Sequence, residues 1–353
     1  MNKGLDNTIP ALDGLRAVAA LGVLITHVSF QTATGIAILE RFDYFVAVFF
    51  ALSAFVLWRR GLKPGYYRNR FARLAPAYLL CVTAVIALLP EASSLSLTTI
   101  VANLTATQIY FSDGLAPGLT HLWSLSIEIA FYLVLPLLVA LRPRWWAIVG
   151  VAVASLGWGW IAEYIGGDVN AQIWPPAYIS WFAVGMLAAE CEGKIPVWCE
   201  RLFRRRWIWW SLAGVCLWVA SRPWFGPPGL VHPEPGEFAR RILFGALFAA
   251  CVVVPYALAP GGLEGPKIQA LGKWSYSIFL WHVAVLAIAF PILGINHFSG
   301  SLIDALIILT FTLVVTVVIS AACYELVETP AGRAIRAPKA PAHKSATNQE
   351  SPA

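Results

Sequence analysis

Arg16 and His27 stand eleven residues apart in one apolar run, LDGLRAVAALGVLITHV. On an α-helix that spacing is three turns plus about 20°, so both side chains share a face and lie about 16 Å apart along the axis. A guanidinium near a membrane surface can hold an anionic group such as a coenzyme A phosphate. An imidazole deeper in can take a hydroxyl proton at neutral pH. Spacing alone equally allows an interfacial snorkelling arginine and a packed histidine. Arg70 and Arg73 are neighbours on a helical surface in RNRFARLAP, with Pro76 in the next turn. Two guanidinium forks suit phosphate, although residues of this kind also make up the charge signals that orient membrane proteins. Glu128 lies one to two turns inside HLWSLSIEIAFYLVLP, with His121 and Trp123 at the mouth. A carboxylate there is placed to orient or charge-balance His27, or to bond a neighbouring helix. The stretch KWSYSIFLWHVAV offers Ser275, Tyr276 and Ser277, then Trp281 and His282, to line a polar channel or acceptor site. Its small polar residues also suit helix contacts. Glu325 and Glu328, in CYELVETP, read as a helix cap or ion pair at the surface.

The elements that carry these residues are membrane helices. The 353 residues are 59% hydrophobic and 12% charged, half the roughly 25% of a soluble domain. Apolar runs of about 20 residues, each able to cross a bilayer, recur at 11–30, 43–59, 74–90, 122–141, 145–165, 174–190, 207–221, 238–259, 274–294 and 301–325. The expected fold is an all-α polytopic bundle of about ten transmembrane helices. In such a setting each titratable group costs about 2.5–3.5 kcal/mol to insert, so each needs a partner or a task.

The net charge of +6 is topological and gives no reason to invoke nucleic acid. Of 25 Lys and Arg, only Arg41, Arg222, Arg240 and Arg241 fall on one side of the predicted spans. That bias puts both termini in the cytoplasm. Asp13 and Arg16 interrupt the start of the first run and no clear cleavage site follows, so it reads as a retained helix rather than a signal peptide. The six cysteines show no CxxC spacing, and neither a disulfide framework nor a metal site is expected. Residues 1–335 read as one membrane domain, 336–353 as a disordered cytoplasmic tail, and the Pro/Gly-rich outward loop 222–237 as irregular. Trp145, Trp146, Trp207, Trp209 and Trp210 at helix ends read as interfacial anchors.

Together these stretches resemble acyltransferase family 3, the membrane family of bacterial O-antigen, exopolysaccharide and nodulation-factor O-acetyltransferases. The likeness runs in order through LDGLRAVAALGVLITHV (12–28), FFALSAFVL (49–57), RNRFARLAPAY (68–78), HLWSLSIEIAFYL (121–133), SYSIFLWH (275–282) and CYELVETP (323–330). It implies a ten-helix enzyme of the inner (plasma) membrane that moves an acetyl or other short acyl group from cytoplasmic acyl-CoA to a hydroxyl of a cell-envelope or exported carbohydrate. Arg16 and His27 match the family's Arg-x10-His pair, Arg70 and Arg73 its Arg-x-x-Arg pair, Glu128 the glutamate after Trp-Ser-Leu, and His282 the histidine after Leu-Trp. On this reading Arg16, Arg70 and Arg73 bind the donor, while His27, supported by Glu128, is the general base; no cofactor is held tightly. Some members carry an extracytoplasmic hydrolase-like domain; this chain is expected to finish transfer itself or to hand the acyl group to a separate extracytoplasmic partner. Ala54 stands where the family usually has Gly, and Ile129-Ala130 where many members have Glu-Gln. The rival from residue types alone is a proton-coupled secondary transporter, which uses intramembrane His, Glu and Arg for proton relay.

Overall fold

Inside hydrocarbon every backbone polar group must be bonded within the protein, which leaves an apolar chain of this kind little choice but helix. The computed structural model describes residues 8–227 and 232–337. Among them the regular elements are all helical, with no strand. Seven helices are long and apolar enough to cross a membrane: Pro10–Thr32, Ala37–Arg60, Tyr66–Leu88, Thr120–Leu141, Pro235–Leu258, Pro266–Leu293 and Leu302–Arg336. Trp145–Ser155 and Trp158–Ile165, bent by 50°, make an eighth if the pair is one span. The chain is a multi-pass membrane protein. The predicted runs 174–190 and 207–221 are helical but short. A 3₁₀ turn at Pro175–Tyr178 delays the first, leaving Ile179–Cys191 with 13 residues, and Arg206–Ala220 has 15; a full crossing takes about 20.

For the site we number α1 (Pro10–Thr32), α2 (Phe45–Arg60), α3 (Tyr66–Leu88), α4 (Trp123–Leu141), α5 (Trp145–Ser155), α6 (Ile179–Cys191), α7 (Arg206–Ala220), α8 (Pro235–Leu258), α9 (Pro266–Leu293) and α10 (Leu302–Cys323). Pro10 opens α1, where its missing N–H costs no bond. α1 packs on α9 and α2, and α2 on α6. Lipid tails are as apolar as leucine, so these contacts depend on close approach rather than water exclusion. A Cβ on Gly185 of α6 would lie 2.0 Å from the Ala51 carbonyl oxygen of α2, and one on Gly272 of α9 would lie 2.3 Å from that of Asp13 in α1. Ala54, the residue that replaces the family's usual glycine, is fully buried on α2. Phe50 of α2 stacks on Phe182 of α6 at 4.5 Å, and Phe182 on Phe131 of α4 at 4.3 Å.

The four arginines that break the charge bias all bond backbone carbonyls at one end of the bundle. Arg41 donates to Ala220 and Gly226, Arg240 to Trp224, Arg241 to Phe225 and Pro227, and Arg222 to Trp218. The loop expected to be irregular opens with a 3₁₀ turn, Pro223–Phe225, and its residues 228–231 lie outside the described residues. So does the expected tail beyond Ala337, whereas Arg336 itself closes a helix that begins at Thr329. All six cysteines are free thiols.

Candidate active site

The bundle gathers its intramembrane polar residues into two clusters joined by α1. In the first, three histidines from separate elements meet. His27 comes from the last turns of α1, His282 from the middle of α9, and His121 from the 3₁₀ turn Thr120–Leu122 that leads into α4. Ring centroids are 5.0 Å apart for His27 and His282, 4.6 Å for His121 and His282, and 6.1 Å for His27 and His121. His121 is 3% exposed and His282 fully buried, while His27 is half-buried. His27 Nδ1 lies 2.8 Å from the Val23 carbonyl oxygen and 3.2 Å from His282 Nε2. Its Nε2 makes no hydrogen bond among the described residues, and neither nitrogen of His121 has a well-formed one. Phe279 lies against His121 at 5.1 Å and closes one side of the cluster. No group of three or more His, Cys, Asp or Glu among the described residues is arranged to hold a metal.

The second cluster lies about 16 Å back along α1. Arg16 is ion-paired with Asp13 one turn earlier and feels the charge of Arg73. Arg70 and Arg73 stand in the opening turns of α3. Arg70 lies over the Tyr132 ring, 5.9 Å from its centroid, and Arg73 acts electrostatically on Tyr132 and Glu328. Glu128 belongs here. Its carboxylate accepts hydrogen bonds from Ser53 of α2 and from Tyr132 one turn along α4. The expected contact of Glu128 with His27 is therefore not made: α4 turns this carboxylate toward α2 and the arginines, and His27 meets His282 instead. The Glu-Gln replaced by Ile129-Ala130 is not missed by Glu128, since its partners come from α2 and the next turn of its own helix. Glu328 sits in a π-helical turn, Tyr324–Glu328, and accepts from Ser277 at 3.2 Å rather than capping a helix end.

The remaining candidates divide. Tyr276 feels both Glu128 and Glu328, while its hydroxyl donates to the Leu74 carbonyl at 3.0 Å. Ser275 donates to the Gly272 carbonyl at 2.8 Å within α9. Trp123 packs on Tyr178 at 5.2 Å and makes no ring contact with the histidines.

Against this geometry, the family model described as an acyltransferase domain, that of acyltransferase family 3, matches residues 9–325. The chain belongs to acyltransferase family 3. Acyltransferase MdmB of Streptomyces mycarofaciens is 26% identical over 333 residues, which cover 81% of this chain and 81% of that protein. O-acetyltransferase OatA of Staphylococcus aureus (strain NCTC 8325 / PS 47) is 26% identical over 323 residues, 79% of this chain but 50% of the staphylococcal protein. The chain thus spans about half the length of that relative. No solved structure matches it significantly. By family it is an O-acyltransferase enzyme.

Ser53, Tyr132, Ser277 and Glu328 complete the family member's arginine cluster, and sequence reasoning gave the first two no role. Tyr132 was detectable, because a residue four positions after an intramembrane glutamate shares its helix face. Ser53 carried no such signal; only the packing of α2 on α4 brings it near. A separate apolar cavity of about 350 Å³ lies between α4, α5 and α6, lined by Ala130, Phe131, Val134, Ile148, Phe182 and Met186 among others. No residue of either cluster lines it.

Proposed function

We propose that this chain is an O-acetyltransferase, or a transferase of another short acyl group, that takes its acyl group from cytoplasmic acyl-CoA and delivers it to a hydroxyl of a cell-envelope or exported carbohydrate. The inner (plasma) membrane, about ten spans and cytoplasmic termini belong to this reading, the termini supported by the charge bias. The observation that carries the reading is α1 itself: one helix presents a guanidinium among three arginines at one depth and an imidazole with an unbonded Nε2 at another.

Arg16, Arg70 and Arg73 hold the anionic groups of the donor, because charge-assisted hydrogen bonds from planar forks suit phosphate oxygens. Glu128 and Tyr132 orient that arginine group. His27 Nε2 takes the proton of the acceptor hydroxyl as its oxygen attacks the acyl carbon. The C–S bond breaks, and the thiolate recovers the proton from His27. His121 and His282 line the acceptor side. A hydrolase-like partner outside the membrane is not required for these steps, and one that relays the acyl group further is compatible with them. Transport no longer has independent support, since the family is one of enzymes.

The test uses membranes that contain the wild-type chain or His27→Ala, with acyl-labelled acetyl coenzyme A and an envelope-glycan extract. Label should enter the glycan with the wild type and fall by about 10²- to 10⁴-fold with the variant at equal protein level, the range of general-base catalysis. If the thioester does not bind at all, the donor assignment is wrong.

A further inference from the structure

Two imidazoles within hydrogen-bond reach do not reveal which nitrogens carry protons, but their other neighbours do. His282 Nδ1 lies 2.8 Å from the carbonyl oxygen of Phe279 and 3.2 Å from that of Ile278, both one turn back along α9. A carbonyl only accepts, so Nδ1 carries the hydrogen and, in the neutral ring, Nε2 carries the lone pair. That Nε2 is 3.2 Å from His27 Nδ1, which also faces the Val23 carbonyl oxygen at 2.8 Å. Facing two acceptors, His27 Nδ1 is the donor, and its own lone pair is left on Nε2. Carbonyls in the preceding turns of two different helices thus fix both tautomers.

We propose that His282 is a positioning residue for His27: together with the Val23 carbonyl it accepts the Nδ1 hydrogen of His27, keeps Nε2 free as the base, and shares the positive charge that forms when Nε2 takes the acceptor's proton. The proposal rests on His27 acting as that base. During transfer the acceptor O–H bond breaks and an N–H bond forms at His27 Nε2. The new C–O ester bond forms as the C–S bond breaks, and the sulfur then takes the Nε2 hydrogen. The Nδ1 hydrogen stays on His27, shared between the Val23 carbonyl and His282 Nε2, and its bond to His282 strengthens while His27 is charged. A carboxylate in the place of His282 would do the same work, but it would bury a net charge in the resting membrane protein; the paired imidazoles are neutral until the reaction starts. His121, 4.6 Å from His282, and Phe279, 5.8 Å away, are the other rings facing His282, and neither adds an acceptor for His27 Nδ1 beyond the Val23 carbonyl and His282.

Histidine-selective ¹⁵N spectroscopy of the full chain in lipid nanodiscs tests this without any acceptor. His27 and His282 should both appear as Nδ1–H tautomers, and the His27 Nδ1 resonance should shift in His282→Leu. An Nε2–H His27, or a resonance unmoved by the substitution, overturns the proposal. In the labelled-glycan assay, His282→Leu should lower turnover about 10- to 100-fold, the scale of one hydrogen bond to a charged group, with the KM for acetyl coenzyme A unchanged. His282→Gln, whose amide oxygen can accept the same hydrogen, should recover most of the loss. Equal losses in both variants with KM raised alike would mark a packing residue and sink the proposal. Wild-type turnover in His282→Leu, beside an inactive His27→Ala, removes the role of His282 and leaves the base assignment standing. Full activity in His27→Ala removes the base assignment itself.

Discussion

Tyr132 and Ser53 both donate to the Glu128 carboxylate, so the removal of either hydroxyl leaves a part-buried anion short of a partner. Such a loss costs about 1–3 kcal/mol. Tyr132→Phe should therefore lower thermal stability in detergent, and should also disturb the arginine that lies over its ring, which donor affinity would report. Arg70→Gln and Arg73→Gln should each raise the KM for acyl-CoA about 10- to 100-fold, one charge-assisted bond apiece, with turnover at saturation much less affected. Turnover reduced at unchanged KM would instead move these arginines from donor binding to the chemical step. That Glu128 needed partners was legible in the sequence, because an intramembrane carboxylate demands them. Which partners was not: one lies four residues away on its own helix and the other on α2, and the pairing expected from the sequence, with His27, requires a rotation of α4 that its apolar pattern does not report.

Among the elements, close approach matters more than length. Gly185 of α6 leaves no space for a side chain against the Ala51 carbonyl oxygen, and backbone cannot move aside as a flexible side-chain tip can. Gly185→Val should separate α6 from α2, with a loss of at least about 1–3 kcal/mol by the cost of overpacking, visible as a lower melting temperature of the purified protein. An unchanged melting temperature would mean that the two helices are free to part. Hydrophobic runs located the long helices, since an apolar segment in lipid has no other way to bond its backbone, but not the eight-residue helices Leu97–Leu104, Val197–Arg204 and Thr329–Arg336. The runs overstated three of the helices they located: 207–221 yields only the 15 residues of α7. The pair Pro175-Pro176 holds its segment in a 3₁₀ turn before α6 starts, and the run from 145 to 165 is bent at Gly157 into two pieces. Hydropathy measures whether a segment belongs in lipid, not whether it crosses in one straight piece.

For the molecule as a whole, the distribution of cations sets orientation, and an exposed thiol reports it. Cys191 ends α6 beside Arg59, which pairs with Glu192 at 2.7 Å. With Cys199→Ser in the background, a membrane-impermeant maleimide should label Cys191 only after cells are permeabilised. Label in intact cells would invert the proposed topology.

With the donor on the arginines and His27 as the base, as proposed, the two clusters on α1 also make the protein a gauge of its donor. Arginines at one depth and His27 about 16 Å deeper can act on a single molecule only if its acyl carbon hangs a comparable distance from its anionic end. A compact activated acid such as acetyl phosphate has the right charge and the right leaving-group chemistry, yet it is too short to span the gap. It should occupy the arginines, compete with acyl-CoA, and never be consumed. Selectivity for thioesters on a long flexible arm would then come from reach, with no pocket shaped to the nucleotide.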